Sequence, residues 1–312
     1  MKKMQLAVLL ILIIVLSMLF FVKKNKQQNN SKQAEQTEQE VTVESTNKGL
    51  KVTYLDIGQG DASFIEFPDG EQMLVDCAID GRILEALGRV MPYYDHDIDY
   101  LLVTHPDSDH YGGCAEVLDR FQIKNIVYSG LEKKGDQTWE AFWSAIQNEN
   151  ANYIEVGKES VLDIASTTLH ILYPDHSVKQ NMGIPNSTVT PSSNNTSIVF
   201  KLSYLDKSML FMGDAEVELE KYLIATYGNQ LDVDVLKLGH HGSDSSSSQD
   251  FIKIISPHNA IASCGLDNKF GHPSRRILSR LGRISSSTIW RTDLQGDIFL
   301  NLDENGLKMY TK

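Results

Sequence analysis

From about residue 49 onward, short apolar runs alternate with turns rich in Gly and Asp. Val52–Ile57, Ala62–Glu66 and Gln72–Asp76 read as consecutive strands, punctuated by Gly58, Gly60, Asp69 and Gly70. Arg82–Met91 has helical spacing, and Tyr100–Thr104 has the pattern of a short buried strand. A helix over Gly112–Arg120, a strand at Asn125–Tyr128, a helix over Thr138–Asn148 and a strand at Ala151–Val156 come next. The second half repeats this style. Thr168–Tyr173, Ser197–Tyr204, Lys207–Phe211 and Val233–Leu238 predict strands, and Ala215–Tyr227 predicts a helix. Helices near Gln249–Ile255 and Ser274–Leu281 alternate with strands at His258–Ser263, Thr288–Trp290 and Asp297–Asn301. Asp175–Asn195 is polar, aperiodic and carries Pro185 and Pro191, so it predicts a long surface loop. No internal repeat is evident, and the whole reads as an α/β fold with sheets covered by helices.

The first residues obey another rule. Met4–Val22 is a 19-residue run without a charged side chain and dominated by apolar ones. That suffices to cross a bilayer core of about 30 Å. No small-residue cleavage pattern closes the run, so residues 1–22 predict an uncleaved, single-pass transmembrane signal anchor. Lysines flank both ends, which nearly cancels the positive-inside signal. Anchors of this kind usually export the chain on their carboxyl side, and the expectation is an extracytoplasmic domain on the cell membrane. Residues 23–48, rich in Gln, Asn, Ser, Thr and Glu, predict a flexible linker. Residues 49–312 then form one domain.

Charge narrows the partners. The chain has a formal net charge of -12, but residues 1–48 hold seven Lys and four Glu, leaving −15 on the rest. A domain this acidic is a poor non-specific binder of nucleic acid, because phosphate contacts need Lys and Arg. Bound divalent cations would offset part of that charge. The three cysteines, Cys77, Cys114 and Cys264, show no metal-site spacing and predict three small buried residues rather than a disulfide framework.

Candidate chemistry sits at strand ends. His105-Pro106-Asp107-Ser108-Asp109-His110 packs two His and two Asp into six positions directly after an apolar strand. Imidazole and carboxylate are donors for zinc and manganese. Asp214 ends the strand Met209–Met212; alone it would be read as a helix cap, but beside the His105 segment it is a ligand candidate. His240-His241-Gly242-Ser243 closes another apolar strand, with either His a candidate ligand and Ser243 a polar contact for substrate. His272 precedes a helix and is a candidate substrate-binding group or general acid. Asp56-Ile57-Gly58-Gln59-Gly60-Asp61 reads as a tight strand-to-strand turn, with Asp61 placed to brace metal ligands. His96, His170, His176 and His258 lack ligand-like company.

Taken together, these segments resemble the metallo-β-lactamase superfamily, whose HxHxDH signature is matched by His105-x-Asp107-x-Asp109-His110. More narrowly, the chain is similar to the hydrolase domain of ComEC-type DNA-uptake proteins. Leu55–Asp61, Thr104–Gly113, Asn194–Ser197, Phe211–Asp214, His240–Ser243, Phe270–Pro273 and Arg291–Asp293 carry that likeness. The resemblance implies an αββα sandwich with two divalent ions, Zn²⁺ or Mn²⁺, at one edge. It implies His105 and Asp107 on the first ion, Asp109 and His110 on the second, and Asp214 shared. His241 is the preferred last ligand and His240 the alternate. Asp109 and His272 are the catalytic candidates, and Ser243, Asn195 and Arg291 the substrate contacts. Two departures stand out: Asp107 replaces a His, and the family's middle His is missing, with Asn195 in its region.

The implied function is a membrane-anchored, metal-dependent phosphodiesterase or nuclease acting through activated water, on DNA or on a cell-wall polymer. A phosphorylcholine-removing teichoic acid phosphoesterase is the related alternative. A metal-binding protein without turnover and a hydrolase of lactones or β-lactams are the others. With a single expected membrane segment, the chain cannot conduct DNA by itself.

Overall fold

The computed structural model describes residues 49–312. Two sheets face each other. In chain order the first takes β1 (Leu50–Tyr54), β2 (Ser63–Glu66), β3 (Gln72–Val75), β4 (Asp97–Leu102), β5 (Gln122–Tyr128) and β6 (Asn152–Glu155). The second takes β7 (Ser160–Ile164), β8 (Thr167–Tyr173), β9 (Val199–Tyr204), β10 (Lys207–Phe211), β11 (Val235–Lys237), β12 (Asn259–Ala262) and β13 (Thr288–Arg291). The chain then returns to the first sheet with the hairpin β14 (Ile298–Asp303) and β15 (Gly306–Thr311). The spatial orders are β15-β14-β1-β2-β3-β4-β5-β6 and β13-β12-β11-β10-β9-β8-β7.

Alternation along the central strands sends one set of side chains between the sheets and the other toward helices. Tyr54, Ile65, Phe200, Met209 and Phe211 belong to the layer between the sheets. The outer face of the first sheet packs on α1 (Arg82–Val90), α3 (Cys114–Arg120) and α4 (Gln137–Asn148), with the one-turn α2 (Ser108–Tyr111) preceding α3. The outer face of the second packs on α5 (Val217–Tyr227), α6 (Gln249–Ile255) and α7 (Arg275–Ile284), and the short α8 (Thr292–Gln295) comes after β13. The result is the αββα sandwich of the sequence reading. Capping agrees with local sequence: Asp136 accepts from Thr138 and Trp139 N–H at the head of α4, and Ser248 and Ser274 cap α6 and α7.

Strands β3 to β6 run parallel, and so do β10 to β13. Their carboxyl ends gather loops at one edge of the sandwich. The segment from Asp175 to Ser193 carries turns alone, as expected of the predicted loop. Strands β7 and β15 lay outside the sequence reading.

Cys77 and Cys114 form a disulfide, contrary to the expectation of three separate buried thiols; Cys264 is free and buried. The pair is separated by 37 residues, a spacing without a signature, and only the packing of the loop after β3 against the start of α3 brings it together. No helix among the described residues is long and apolar enough to cross a membrane. The expected anchor and linker lie outside those residues.

Candidate metal centre

Five parallel strands deliver the candidate residues. Asp76 directly follows β3, and His105, Asp107, Asp109 and His110 follow β4. Asp214 follows β10, His240 and His241 follow β11, and Ser263 follows β12. The first sheet thus brings one half of the cluster and the second sheet the other.

Two donor groups converge on Asp214. Around its Oδ2, His105 Nε2 and His240 Nε2 each lie at 3.8 Å, and Asp107 Oδ2 is 3.7 Å from His105 Nε2. Around its Oδ1, His110 Nε2 lies at 3.2 Å and His241 Nε2 at 3.7 Å, and Asp109 Oδ2 is 3.2 Å from His241 Nε2. Donors held ~2.1 Å from one ion at tetrahedral angles lie about 3.4 Å apart. The second group brackets that spacing at 3.2–3.7 Å, and the first is somewhat wider at 3.7–3.8 Å.

Ring tautomers follow from the surroundings. Thr104 Oγ1 and N–H both donate to Asp76 at 2.8 Å, so Thr104 Oγ1 is left to accept from His105 Nδ1 at 3.1 Å. His110 Nδ1 donates to Asp76 Oδ2 at 2.8 Å, and His241 Nδ1 donates to the Ser263 carbonyl at 3.1 Å. In each case the N–H is taken by a support residue and the Nε2 lone pair faces the cleft. His105 Nε2, His110 Nε2, His241 Nε2 and Asp214 Oδ1 are buried with no hydrogen-bond partner. Unpaired buried polar atoms are costly, so their convergence fits a divalent cation. Asp61, His110, Asp214 and His241 also offer one ligand atom each within 4.8 Å of one another. Asp61 is better read as a brace. Its Oδ2 holds Lys237 Nζ at 2.7 Å, and its Oδ1 lies 3.6 Å from His241 on the Nδ1 side, away from the cleft.

Without cations, the charges settle on each other. Burial opposes ionisation of Asp214, yet His110 and His241 hold its carboxyl well below the usual range. Burial likewise disfavours charge on His241, but Asp214 and Asp61 raise it to about 10. His110 is raised well above its ordinary value by Asp214 and Asp76 against its burial.

Backbone conformation sets the last details. His240 (φ 48°, ψ 47°) and His241 (φ 55°, ψ 20°) are both left-handed, a conformation costing roughly 1–2 kcal/mol for a residue with a Cβ. That strain aims the two adjacent rings at different donor groups. Gly60 has φ +123° and a Cβ there would lie 2.4 Å from the Asp109 carbonyl, so this turn clamps the metal loop only as glycine. Asp61 N–H donates to the same carbonyl at 3.1 Å.

The remaining candidates separate. His272 is half-buried, with its ring 5.4 Å from that of His240 and 6.0 Å from that of His241. Burial and the neighbouring His241 and His240 pull it down to about 4. Ser243 Oγ accepts from Ser245 N–H at 3.3 Å at the rim. Asn195 is locked to Glu216, accepting its N–H at 2.9 Å and donating to its carboxylate at 3.3 Å. Arg291 gives its guanidinium to Asp293 at 3.0 and 2.5 Å. His96, His170, His176 and His258 stand apart from the cluster; His170 pairs with Glu159 and His176 with Asp175. Sequence reasoning gave no role to Asp76 and Thr104, which support two imidazoles, or to Glu216, Ser245 and Asn194, which surround His240. It also missed Lys133, whose Nζ is 3.6 Å from Asp107 Oδ1. Asp76 ends a predicted strand, as the flagged residues do, and that shared position was the one signal available.

Comparison with known proteins agrees with this geometry. A profile described as "Metallo-beta-lactamase superfamily" matches residues 55–265. The chain is 29% identical to ComE operon protein 3 of Bacillus subtilis over 80% of its own length and 32% of that protein's. It is 27% identical to Competence protein ComA of Neisseria gonorrhoeae over 82% and 33%, respectively. Recombination protein 2 of Haemophilus influenzae matches at 26% over 83% and 30%. The chain therefore spans about a third of the length of these relatives. Among solved structures, the metallo-beta-lactamase fold protein YhfI of Bacillus subtilis superposes with a TM-score of 0.53 at 11% identity, over 78% of this chain and 96% of that one. CmlA, a diiron β-hydroxylase from Streptomyces venezuelae, does so with a TM-score of 0.53 at 14% identity, over 85% and 54%.

Proposed function

The chain belongs to the metallo-beta-lactamase superfamily, and from that premise we propose that it is a metal-dependent phosphodiesterase with nucleic acid as its substrate, held at the outer face of the cell membrane. The observation that carries the reading is the convergence of the buried, unpaired Nε2 atoms of His105, His110 and His241 on the Asp214 carboxylate.

His105, Asp107, His240 and Asp214 form the first ligand set, and Asp109, His110, His241 and Asp214 the second. His240 supplies the imidazole that the family's middle His would otherwise provide, and both members of the pair are ligands. Each set joins two imidazoles to two carboxylates. Zinc and manganese both accept this mixture, and the oxygen share favours Mn²⁺. Divalent cations so held acidify water and polarise a phosphoryl group. The chain's own residues do the rest. Asp76, Thr104 and the Ser263 carbonyl fix the imidazole tautomers. Lys133 stands beside Asp107 to meet an anionic phosphate oxygen. His272, next to His240, is placed to hold the departing oxygen, and Ser243 lines the rim.

Relatives named for competence and recombination support a nucleic acid substrate. The Cys77–Cys114 disulfide supports an oxidising, extracytoplasmic location, because such bonds persist outside the reducing cytosol. The test is hydrolysis by the full chain, loaded with Mn²⁺ or Zn²⁺ and checked by elemental analysis. DNA and bis(p-nitrophenyl) phosphate should be cleaved, and lactones should not. Metal-loaded protein that turns over neither phosphodiester refutes the reading; release of choline phosphate from teichoic acid, with DNA untouched, replaces the substrate.

A further inference from the structure

In a chain with a net charge of -12, one helix among the described residues stands out because all its charged side chains are Arg. Helix α7 holds Arg275, Arg276, Arg280 and Arg283, and no acidic residue. Ile277 and Leu281 seat it on the core, which turns the arginines outward. Arg276, Arg280 and Arg283 have i, i+4, i+7 spacing, so they share one face over about 10 Å of helix. Arg280 donates to the Ser247 carbonyl. Arg275, Arg276 and Arg283 are exposed, and no carboxylate among the described residues forms an ion pair with them. Asp244 is the acid at the head of the helix, and its carboxylate is engaged by the Ser274 hydroxyl.

The helix starts at the metal centre. Ser274 N–H donates to the Gly242 carbonyl at 2.9 Å, one residue from His241. The loop leading into it ends at His272 and displays a large aromatic ring. Phe270 is 56% exposed. Its ring lies 5.6 Å from His272 at an interplanar angle of 23°, and Lys269 Nζ stands 5.0 Å from its centroid. An aromatic platform beside a basic stripe is the arrangement that binds single strands: bases stack on the ring and phosphates meet the cations. The choline of a wall polymer can also sit on an aromatic face, but here the Lys269 ammonium already stands at the ring and repels a second cation, so the platform favours a base.

We propose that Phe270, Lys269 and the Arg275–Arg276–Arg283 face of α7 form the docking track for a single strand of nucleic acid, leading its backbone past His272 to the metals. The proposal rests on the phosphodiesterase reading for its direction, but binding tests it separately. The probe is a fluorescein-labelled, cleavage-resistant phosphorothioate oligothymidylate, titrated against the metal-loaded full chain by anisotropy. Bis(p-nitrophenyl) phosphate hydrolysis and thermal melting report on the centre and the fold. The R276E/R283E variant should weaken binding at least about tenfold and reduce the slope of log affinity against log salt by about 1.4, two phosphate contacts on a single strand. Phe270→Ala should weaken it about fivefold or more. The melting temperature and the hydrolysis of the small ester should stay as in the parent. Unchanged oligothymidylate affinity in both variants overturns the track. So does parallel loss of affinity, melting temperature and small-ester hydrolysis. Displacement of the labelled strand by teichoic acid as readily as by unlabelled oligothymidylate overturns the nucleic acid assignment. A parent protein that binds the strand but hydrolyses no phosphodiester leaves the track standing and defeats the catalytic reading.

Discussion

At the scale of single residues, the support around the imidazoles makes sharper predictions than the ligands do. Asp76 takes the His110 N–H and two bonds from Thr104. Asp76→Asn replaces one accepting oxygen by a donor and should lower metal affinity about 10–100-fold, measured by competition with a chromophoric chelator. An unchanged affinity would mean that His110 is oriented by other contacts. Lys237 and Asp61 are a second case. They form an ion pair at 2.7 Å with side chains 3% and 7% exposed. Lys237→Met leaves Asp61 as a buried, unmatched charge beside His241 and should cost about 3–5 kcal/mol in urea denaturation. Adding Asp61→Leu should recover part of that loss. If the double variant is no better than the single one, the ion pair is not the origin of the cost. Most of the side chains that the structure gathers around Asp214 were legible in the sequence, because two His and two Asp within six residues is a dense signal. The supports were not. Asp76, Thr104, Glu216 and Ser245 are ordinary residues whose roles exist only through contacts between separate strand ends. Asn195, a substrate candidate from its place in the chain, is tied to Glu216, a partnership that likewise exists only through contacts between separate segments.

Elements come next. Strands with clear apolar runs and helices with helical spacing were legible, and the structure forms them close to the expected ranges. Edge strands β7 and β15 escaped it although each carries apolar positions, because one face of each is exposed and neither ends on a chemically distinctive turn. The disulfide also escaped, since pairing over 37 residues depends on where α3 docks. Closing a loop of that length should contribute about 3–4 kcal/mol. Cys77→Ser with Cys114→Ser should lower the unfolding free energy by that amount, while reductant should no longer shift the denaturation midpoint of the variant. Helix α5 carries a different device. Glu220 is buried and accepts the N–H groups of Ser247 and Ser248, the latter at 2.8 Å. Burial pushes its carboxyl from an ordinary 4.5 up to about 7. The folded state therefore holds a proton there that the unfolded chain releases near 4.5. Its stabilising contribution is complete below that pH and is lost as pH rises toward about 7. Glu220→Gln should flatten the fall in melting temperature between those values. A slope identical to the parent's would assign the titration elsewhere.

For the whole molecule, what matters is that each proposed ligand set draws two residues from one sheet and two from the other. His110 and His241 are held in the protonated range until cations arrive, so binding must displace protons. Calorimetry in buffers of different ionisation enthalpy should show net proton release, with affinity falling as pH is lowered. Proton-independent binding would contradict the ligand sets. The fold class was readable from element order, whereas the facing of the sheets, and with it the pairing of Asp109 with His241, belongs to tertiary structure alone. The division of ligands has a kinetic consequence. A cation shared by both halves has no site until the sheets have docked, so it cannot nucleate folding. Its stabilisation should appear as slower escape from the native state, with the folding rate unmoved, and stripping the metal should shorten the protein's lifetime against proteases well before its secondary structure changes.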